Sequence, residues 1–201
     1  MNKCVQIFLL LTTLYSKSYF CNGKTVNRNK ISSAEKSAAQ TEVRRLERTD
    51  FSIIHKSSML TIDIYENYQN VIDKFGLPRK TNRKDGEPEW ICLEYDSFSA
   101  YYYEHSYNQN ILLLQVFDDT FAMPRGISVG DNISKVLKSY SKDEMLMSML
   151  NTGEKFCCLE ISIPVEDKNK PPFTEWVLGI YFFFDDNDII EQIHVQFTEY
   201  I

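Results

Sequence analysis

The sequence has little of what marks a nucleic-acid-binding or multi-span membrane protein. Its 22 basic residues are outnumbered by 28 acidic ones, and the net charge of -6 disfavours nucleic acid as a partner. A single apolar run, near the start, excludes a multi-span membrane protein. Hydrophobic residues (43%) and charged residues (25%) occur as in ordinary globular proteins, which excludes a disordered chain, a collagen or a coiled coil. Aromatic residues (13%) favour strands over helical bundles.

The sequence also lacks the short motifs of common catalytic and metal sites. It has no Gly-rich phosphate loop, no Gly-x-Ser-x-Gly, no His-Glu-x-x-His and no Cys-x-x-Cys. We therefore expect no metal ion, no cofactor and no enzymatic activity. A hydrolase that pairs Cys158 with His194 on one sheet face is the enzymatic alternative.

Residues 1–20 have the organisation of a secretory signal peptide. Lys3 precedes an apolar stretch, 5–14, that is shorter than the roughly 20 residues of a membrane span. Cys21 follows this stretch, as the lipid-attachment cysteine does in bacterial lipoproteins, although Phe20 stands where those proteins have a small residue. The sequence therefore predicts an exported protein. It is either periplasmic or outer-membrane-anchored through a lipidated Cys21, or freely secreted.

Residues 21–50 are predicted to form a basic, polar tether ahead of an acidic body. Residues 1–21 carry a formal charge of +2 and residues 22–50 carry +3, which leaves -11 for residues 51–201. A basic segment beside a membrane can contact anionic head groups, or it can serve only to keep a linker solvated.

The body contains an internal repeat with a spacing of 65 residues. Residues 64–75 align with 129–140, and both segments place apolar residues at helical spacing after an acidic residue and an asparagine. Three strands are predicted after each helix, and a further short helix is predicted over 142–150. The sequence thus predicts an α+β fold of two tandem helix-plus-antiparallel-three-strand-meander repeats, with the helices on one sheet face and the other face open. Repeat 1 spans 51–122 and repeat 2 spans 123–201.

Strand alternation divides the predicted sheet into a core face and an open face. Exposed tyrosine is favourable at interfaces, because its large side chain loses little entropy on binding. We expect the loop or strand of a protein partner to lie across the open face. The side chains expected to contact it are Tyr101, Tyr102, Tyr103, Gln115, Tyr181, His194 and Gln196.

Two cysteines, Cys92 and Cys158, occupy equivalent positions in the two repeats and are predicted to share the open face. In an oxidising compartment they are the pair that we expect to form a disulfide. The alternative is that both are unpaired thiols and that Cys157 is a core thiol.

The segment 126–137 reads Gly-Ile-Ser-Val-Gly-Asp-Asn-Ile-Ser-Lys-Val-Leu. With the meander that follows, it resembles the repeat of beta-lactamase inhibitor protein and of small outer-membrane assembly lipoproteins of the BamE type, over roughly residues 59–201. The first copy departs from the pattern, with Tyr65 where the second has Gly130. The resemblance implies a non-enzymatic extracytoplasmic protein that binds another protein with its open sheet face. The aromatic strands leave a second alternative, a module that binds a small molecule or a peptide.

Overall fold

The computed structural model describes residues 45–84, 90–103, 110–141, 145–150, 152–163 and 175–200. All of them lie in one compact unit of the chain, Gln40–Ile201. The predicted signal peptide, the candidate lipidation site Cys21 and most of the predicted tether lie outside the described residues.

The described part of the chain contains eleven strands and two α-helices. It begins with a 3-10 helix, Arg48–Phe51, then β1 (Ser52–His55), β2 (Thr61–Asp63) and helix α1 (Tyr68–Phe75). The next four strands are β3 (Lys80–Lys84), β4 (Trp90–Glu94), β5 (Phe98–Tyr103) and β6 (Ile111–Val116). The short strand β7 (Phe121–Ala122) precedes helix α2 (Ser134–Ser139). The last four strands are β8 (Met145–Met149), β9 (Lys155–Ile163), β10 (Glu175–Phe184) and β11 (Ile190–Tyr200).

Eight strands form one antiparallel sheet in the order β3-β4-β5-β6-β11-β10-β9-β8. Two runs of four consecutive strands therefore meet at β6 and β11 in the middle of the sheet, where Gln115 pairs with His194. Strands β3 and β8 are the two edges. The remaining strands form a separate sheet in the order β2-β1-β7.

The predicted α+β class, with two helix-plus-three-strand repeats, is wrong. The described fold is mostly β, and its helices are short, with eight residues in α1 and six in α2. Eight strands join in one continuous sheet, and the prediction omitted the three-stranded sheet. The segment 142–150, predicted to be helical, contains strand β8 instead. Methionine and leucine favour helices by intrinsic propensity, but pairing with β9 decides the conformation here.

Helix α1 begins and ends at residues with the expected chemistry. The side-chain oxygen of Asn67 accepts a hydrogen bond from the backbone N–H of Asn70 at 2.9 Å, which caps the helix. Gly76, at a φ of 79°, ends it and donates its N–H to the carbonyl of Ile72. Val71 is the buried residue of this helix.

The turn before α1 is held by one carboxylate and one lysine. Glu66 Oε1 accepts a hydrogen bond from the backbone N–H of Asp63 at 3.3 Å and lies 2.5 Å from Lys74 Nζ. Lys74 also donates to the carbonyl of Thr61 at 2.8 Å. The lysine therefore connects the turn to strand β2.

The turn before α2 repeats this pattern 65 residues later. Asp131 Oδ2 accepts a hydrogen bond from the backbone N–H of Ser128 and lies near Lys135 Nζ, both at 2.8 Å. Lys135 donates in addition to the carbonyl of Gly126 at 2.7 Å. The aligned carboxylates and lysine contacts thus form the same network twice.

The main core lies against one face of the eight-stranded sheet. Its sheet residues pack with buried residues of α1, α2 and the three-stranded sheet, and we call this side of the sheet the core face. Strand residues on the core face include Leu93, Ala100, Tyr102, Leu114, Leu159, Ile180, Phe182 and Val195.

Arg125 connects the 3-10 helix to the end of α2. Its Nε and Nη2 donate to the two carboxylate oxygens of Asp50 at 2.8 and 2.7 Å. Its Nη1 donates to the carbonyl of Ser139 at 2.5 Å, and the guanidinium carbon lies 4.2 Å from the centre of the Tyr140 ring. Asp50 and Leu46 are buried, although the sequence assigned both to the tether. The folded unit therefore begins before residue 50.

Candidate functional site

The sheet face predicted to be open is a buried layer of polar and aromatic side chains, which we call the polar face. His194 is only 1% exposed, and Gln115, Tyr181 and Gln196 are buried as well. Alternation placed these residues on the correct side, opposite the core face. Their burial means that a partner cannot lie across them on the surface of this chain. The buried residues of the polar face are Cys92, Ser99, Leu113, Gln115, Cys158, Val177, Tyr181, Phe183, His194 and Gln196.

The three tyrosines predicted on β5 do not form an exposed patch. Tyr101 lies on the polar face and is half-buried. Alternation puts Tyr102 on the core face, where it is fully buried and where burial raises the pKa of its phenol. The side chain of Tyr103 lies outside the described residues.

Tyr181 is held in place by its neighbours on the polar face. Its ring lies over Gly179, where an added Cβ would come within 2.6 Å of a ring carbon. Its hydroxyl donates a hydrogen bond of 2.5 Å to Glu160, the residue registered opposite Gly179 on β9. The missing side chain of Gly179 thus allows the ring to lie flat along the strand, and Glu160 fixes its end.

His194 lies at the centre of a small polar cluster. Its Nε2 is 3.2 Å from Gln115 Nε2 and 3.2 Å from Gln192 Oε1. Within the described part of the chain, His194 Nδ1 and Gln115 Oε1 have no hydrogen-bond partner. The Phe183 ring lies 4.5 Å from the imidazole, and burial lowers the pKa of His194 to about 3. The imidazole is therefore neutral at physiological pH.

Cys158 and His194 do not form a catalytic pair. Tyr181 lies between them, registered with Cys158 on one side and with His194 on the other. Two strand spacings, roughly 10 Å, therefore separate the two backbones, beyond hydrogen-bond reach of a cysteine and a histidine. Burial also raises the pKa of the Cys158 thiol to about 12, so it is protonated at neutral pH.

The predicted Cys92–Cys158 disulfide is wrong. Both residues lie on the polar face, as predicted, but Cys92 is on β4 and Cys158 on β9. Five strand spacings, roughly 24 Å along the sheet, separate these strands, whereas a disulfide needs Cα atoms within about 7 Å. Cys157 is a buried core thiol and forms no disulfide with either.

The described residues also provide no metal centre and no membrane-spanning helix. No group of three or more His, Cys, Asp or Glu side chains within them could hold a metal ion. Asp185 serves a hairpin turn, since its Oδ1 accepts hydrogen bonds from the backbone N–H groups of Asn187 and Ile189. No helix in the described ranges is long and apolar enough to cross a membrane.

The surface that sequence reasoning missed is the edge strand β8. Leu146, Met147 and Met149 are 63%, 55% and 61% exposed, and half of the chain's six methionines lie in these five residues. The strand pairs with β9 on one side and ends the sheet on the other. Its sequence, Met-Leu-Met-Ser-Met, carries no charge. The alternation of methionine at every second position was the available signal for a strand.

The opposite edge of the sheet has the reverse character. Strand β3 reads Lys-Thr-Asn-Arg-Lys, with three basic residues in five. Charged residues, lysine above all, are a common protection of sheet edges against pairing with other chains. The sheet thus has one protected edge and one unprotected apolar edge.

Comparison with family models, with curated proteins and with solved structures gave no match. The resemblance to beta-lactamase inhibitor protein and to BamE-type lipoproteins therefore stays a prediction.

Proposed function

We propose that this chain is a non-catalytic, exported protein that binds another protein by strand addition at β8. The observation that carries the proposal is the exposed, uncharged, apolar edge strand of a large sheet. In this arrangement an extended segment of the partner becomes a ninth strand beside β8 and continues the antiparallel order of the sheet. The binding surface moves from the polar face, which is buried, to the edge.

The backbone of β8 requires an extended partner. Strand β8 pairs with β9 only, so its outer side presents a row of N–H and C=O groups along five residues. The sheet already contains a junction of similar size, because β6 and β11 join its two runs through four registered residue pairs. A partner strand of four or five residues is therefore long enough.

The side chains of β8 favour an uncharged, apolar partner segment. Met145, Met147 and Met149 point to one side of the sheet, and Leu146 points to the other. Methionine is flexible and polarisable, so it packs against apolar side chains of different shapes. A charged residue on the partner would lose water without gaining an opposite charge on β8.

Two further features support a binding protein over an enzyme. The candidate catalytic residues Cys158 and His194 are buried and lie on strands that are not neighbours. The signal-peptide pattern of residues 1–20 favours export, with Cys21 as a membrane tether or with free secretion. Both features leave the partner to be found among exported proteins.

Site-specific photo-crosslinking in the producing cells tests the proposal. A photoreactive amino acid replaces Leu146 on β8, and a matched variant carries it at Leu77, which is 86% exposed and lies outside the strands. We expect a discrete adduct from position 146 and none from position 77. Mass spectrometry should place the crosslink in an extended, uncharged segment of another protein.

A synthetic peptide of that segment then completes the test. We expect it to bind the wild-type chain about 100-fold more tightly than Met147→Lys, because docking would bury the new ammonium without a partner. The variant should unfold like the wild type, since its side chain is exposed in the free chain. Equal crosslinking from positions 146 and 77, or equal binding to Met147→Lys, would refute strand addition. An adduct with a second copy of the chain would refute a separate protein partner.

A further inference from the structure

We propose that the methionines of β8 are an oxidation site, and that their conversion to sulfoxides by hydrogen peroxide releases the docked strand. The release rests on the proposed function, whereas the oxidation does not. The proposal comes from the distribution of sulfur in the fold, in which the thioethers of one edge strand are exposed and the thiols are buried.

Exposure separates the methionines of the described chain into two groups. Met147 and Met149 on β8 are more than half exposed, as is Met59 in the loop between β1 and β2. Met123 is 1% exposed and belongs to the core. Met145 is half-buried and packs against the core. A peroxide molecule in solution therefore reaches two β8 sulfurs directly and does not reach Met123.

The cysteines do not compete for the oxidant. Peroxide reacts with the thiolate form of cysteine, so reactivity follows thiolate character and exposure. Cys157 and Cys158 are buried, and burial raises the pKa of each thiol to about 12. Cys92 is buried on the polar face. In most proteins a thiol is oxidised before a thioether, and the burial of these three residues reverses that order.

The reaction is a two-electron oxygen transfer. A lone pair of the methionine sulfur attacks one oxygen of hydrogen peroxide, the O–O bond breaks and an S–O bond forms. The sulfur is oxidised to a sulfoxide, and after proton transfer the second oxygen leaves as water. Methionine sulfoxide reductases reverse the change, so the modification can act as a switch.

Oxidation changes the surface that the partner strand would cover. A docked ninth strand would lie beside Met147 and bury its thioether between cross-strand neighbours. A sulfoxide at that place carries a polar oxygen that docking would remove from water without a hydrogen-bond donor. We expect about a tenfold or greater loss of binding for each sulfoxide buried in this way.

Peptide mapping of the purified chain tests the oxidation by itself. The chain is treated with increasing hydrogen peroxide, and each methionine peptide is followed for the gain of one oxygen. We expect Met147, Met149 and Met59 to be oxidised first and Met123 last, with Cys157 and Cys158 still reduced. Oxidation of these thiols before the methionines, or of Met123 as fast as Met147, would overturn the proposal whether or not strand docking exists.

The photo-crosslink from position 146 tests the release, because that variant keeps all three β8 methionines. Brief peroxide treatment should lower the adduct yield at least tenfold, and methionine sulfoxide reductase should restore it. Replacing the three methionines with leucine should make the yield insensitive to peroxide, whereas Met59→Leu should change nothing. An adduct that survives peroxide in the unsubstituted strand would overturn the release. A missing adduct before treatment would count against strand addition and leave the oxidation order standing.

Discussion

The two runs of four strands are built alike at the turns before their helices and unlike at their outer edges. Glu66 in the first run and Asp131 in the second each bind a backbone N–H and a lysine, at a spacing of 65 residues. The outer strands share no such likeness, since β3 is basic and β8 is apolar. The shared turn belongs to the framework, and the framework does not fix the composition of the edge. This difference favours a function at β8.

The halves differ a second time in how they hold the segment before β1. Arg125 in the second half binds the buried carboxylate of Asp50, while the residue 65 positions earlier is Leu60, which has no charge. The salt bridge at 2.7 Å joins side chains that are mostly buried. The first half has nothing equivalent at that position, so the stability of the chain should depend on the two positions very unequally.

The largest effect is expected for Arg125→Ala. The substitution leaves the Asp50 carboxylate and the Ser139 carbonyl without their guanidinium, and loss of one partner of a buried ion pair costs about 3–5 kcal/mol. We expect the free energy of unfolding in urea to fall by about that amount. The matched variant Leu60→Ala should cost less than about 1 kcal/mol, because its side chain is partly exposed. Similar losses at both positions would remove this difference between the halves.

The middle of the sheet provides a second comparison, between the cross-strand partners Gln115 and His194. Gln115 cannot titrate, whereas burial holds the pKa of His194 at about 3, below its ordinary value of about 6.5. Between these two values the unfolded chain binds the additional proton, so stability rises with pH and is lost as pH falls below about 6.5. The loss between pH 7 and pH 5 should approach about 2 kcal/mol.

Urea unfolding at pH 7, 6 and 5 measures this loss. His194→Gln makes the central pair two glutamines and should remove the part of the pH dependence that comes from this imidazole. His55→Gln, at the end of β1, is the control for a histidine outside the polar face. If His194→Gln keeps the full wild-type slope, another group causes it and the neutral His194 is not its source.

The sequence predicted strand sides well and strand neighbours poorly. Alternation correctly put Gln192, His194 and Gln196 opposite the core face, because side-chain direction depends only on position within the strand. It could not predict that His194 is buried, since burial depends on what packs over the strand. The disulfide prediction failed for a related reason. Cys92 and Cys158 share a face, but only the order of the strands shows that they lie far apart.

The candidate site was missed because local propensity and pairing disagree at β8. Met145–Met149 has strong helix formers and follows a predicted helix, so a second short helix was the natural interpretation. The pairing of Met147 with Cys157 makes it a strand, and a pairing over ten residues apart is not visible in local composition. The basic β3 edge, by contrast, could be read from its charges once its edge position was known.

The smallest expected effect tests the likeness of the two turns. Asn67 and Asn132 each accept a hydrogen bond from a backbone N–H at the start of the following helix, from Asn70 at 2.9 Å and from Ser134 at 3.0 Å. Asn67→Ala and Asn132→Ala should each cost about 1 kcal/mol of unfolding free energy, the usual loss on removing an N-cap side chain. Serine at either position restores an acceptor and should recover most of the loss.

Equal losses would mean that the halves use the same device with the same energy, although α2 is two residues shorter than α1. A loss at Asn67 alone would mean that α2 is held by its packing, through Val136 and the Arg125 contact with Ser139, and not by its first turn. The likeness of the hydrogen bonds would then be geometric without being energetic. The contrast between the edges would have to be explained without a common framework.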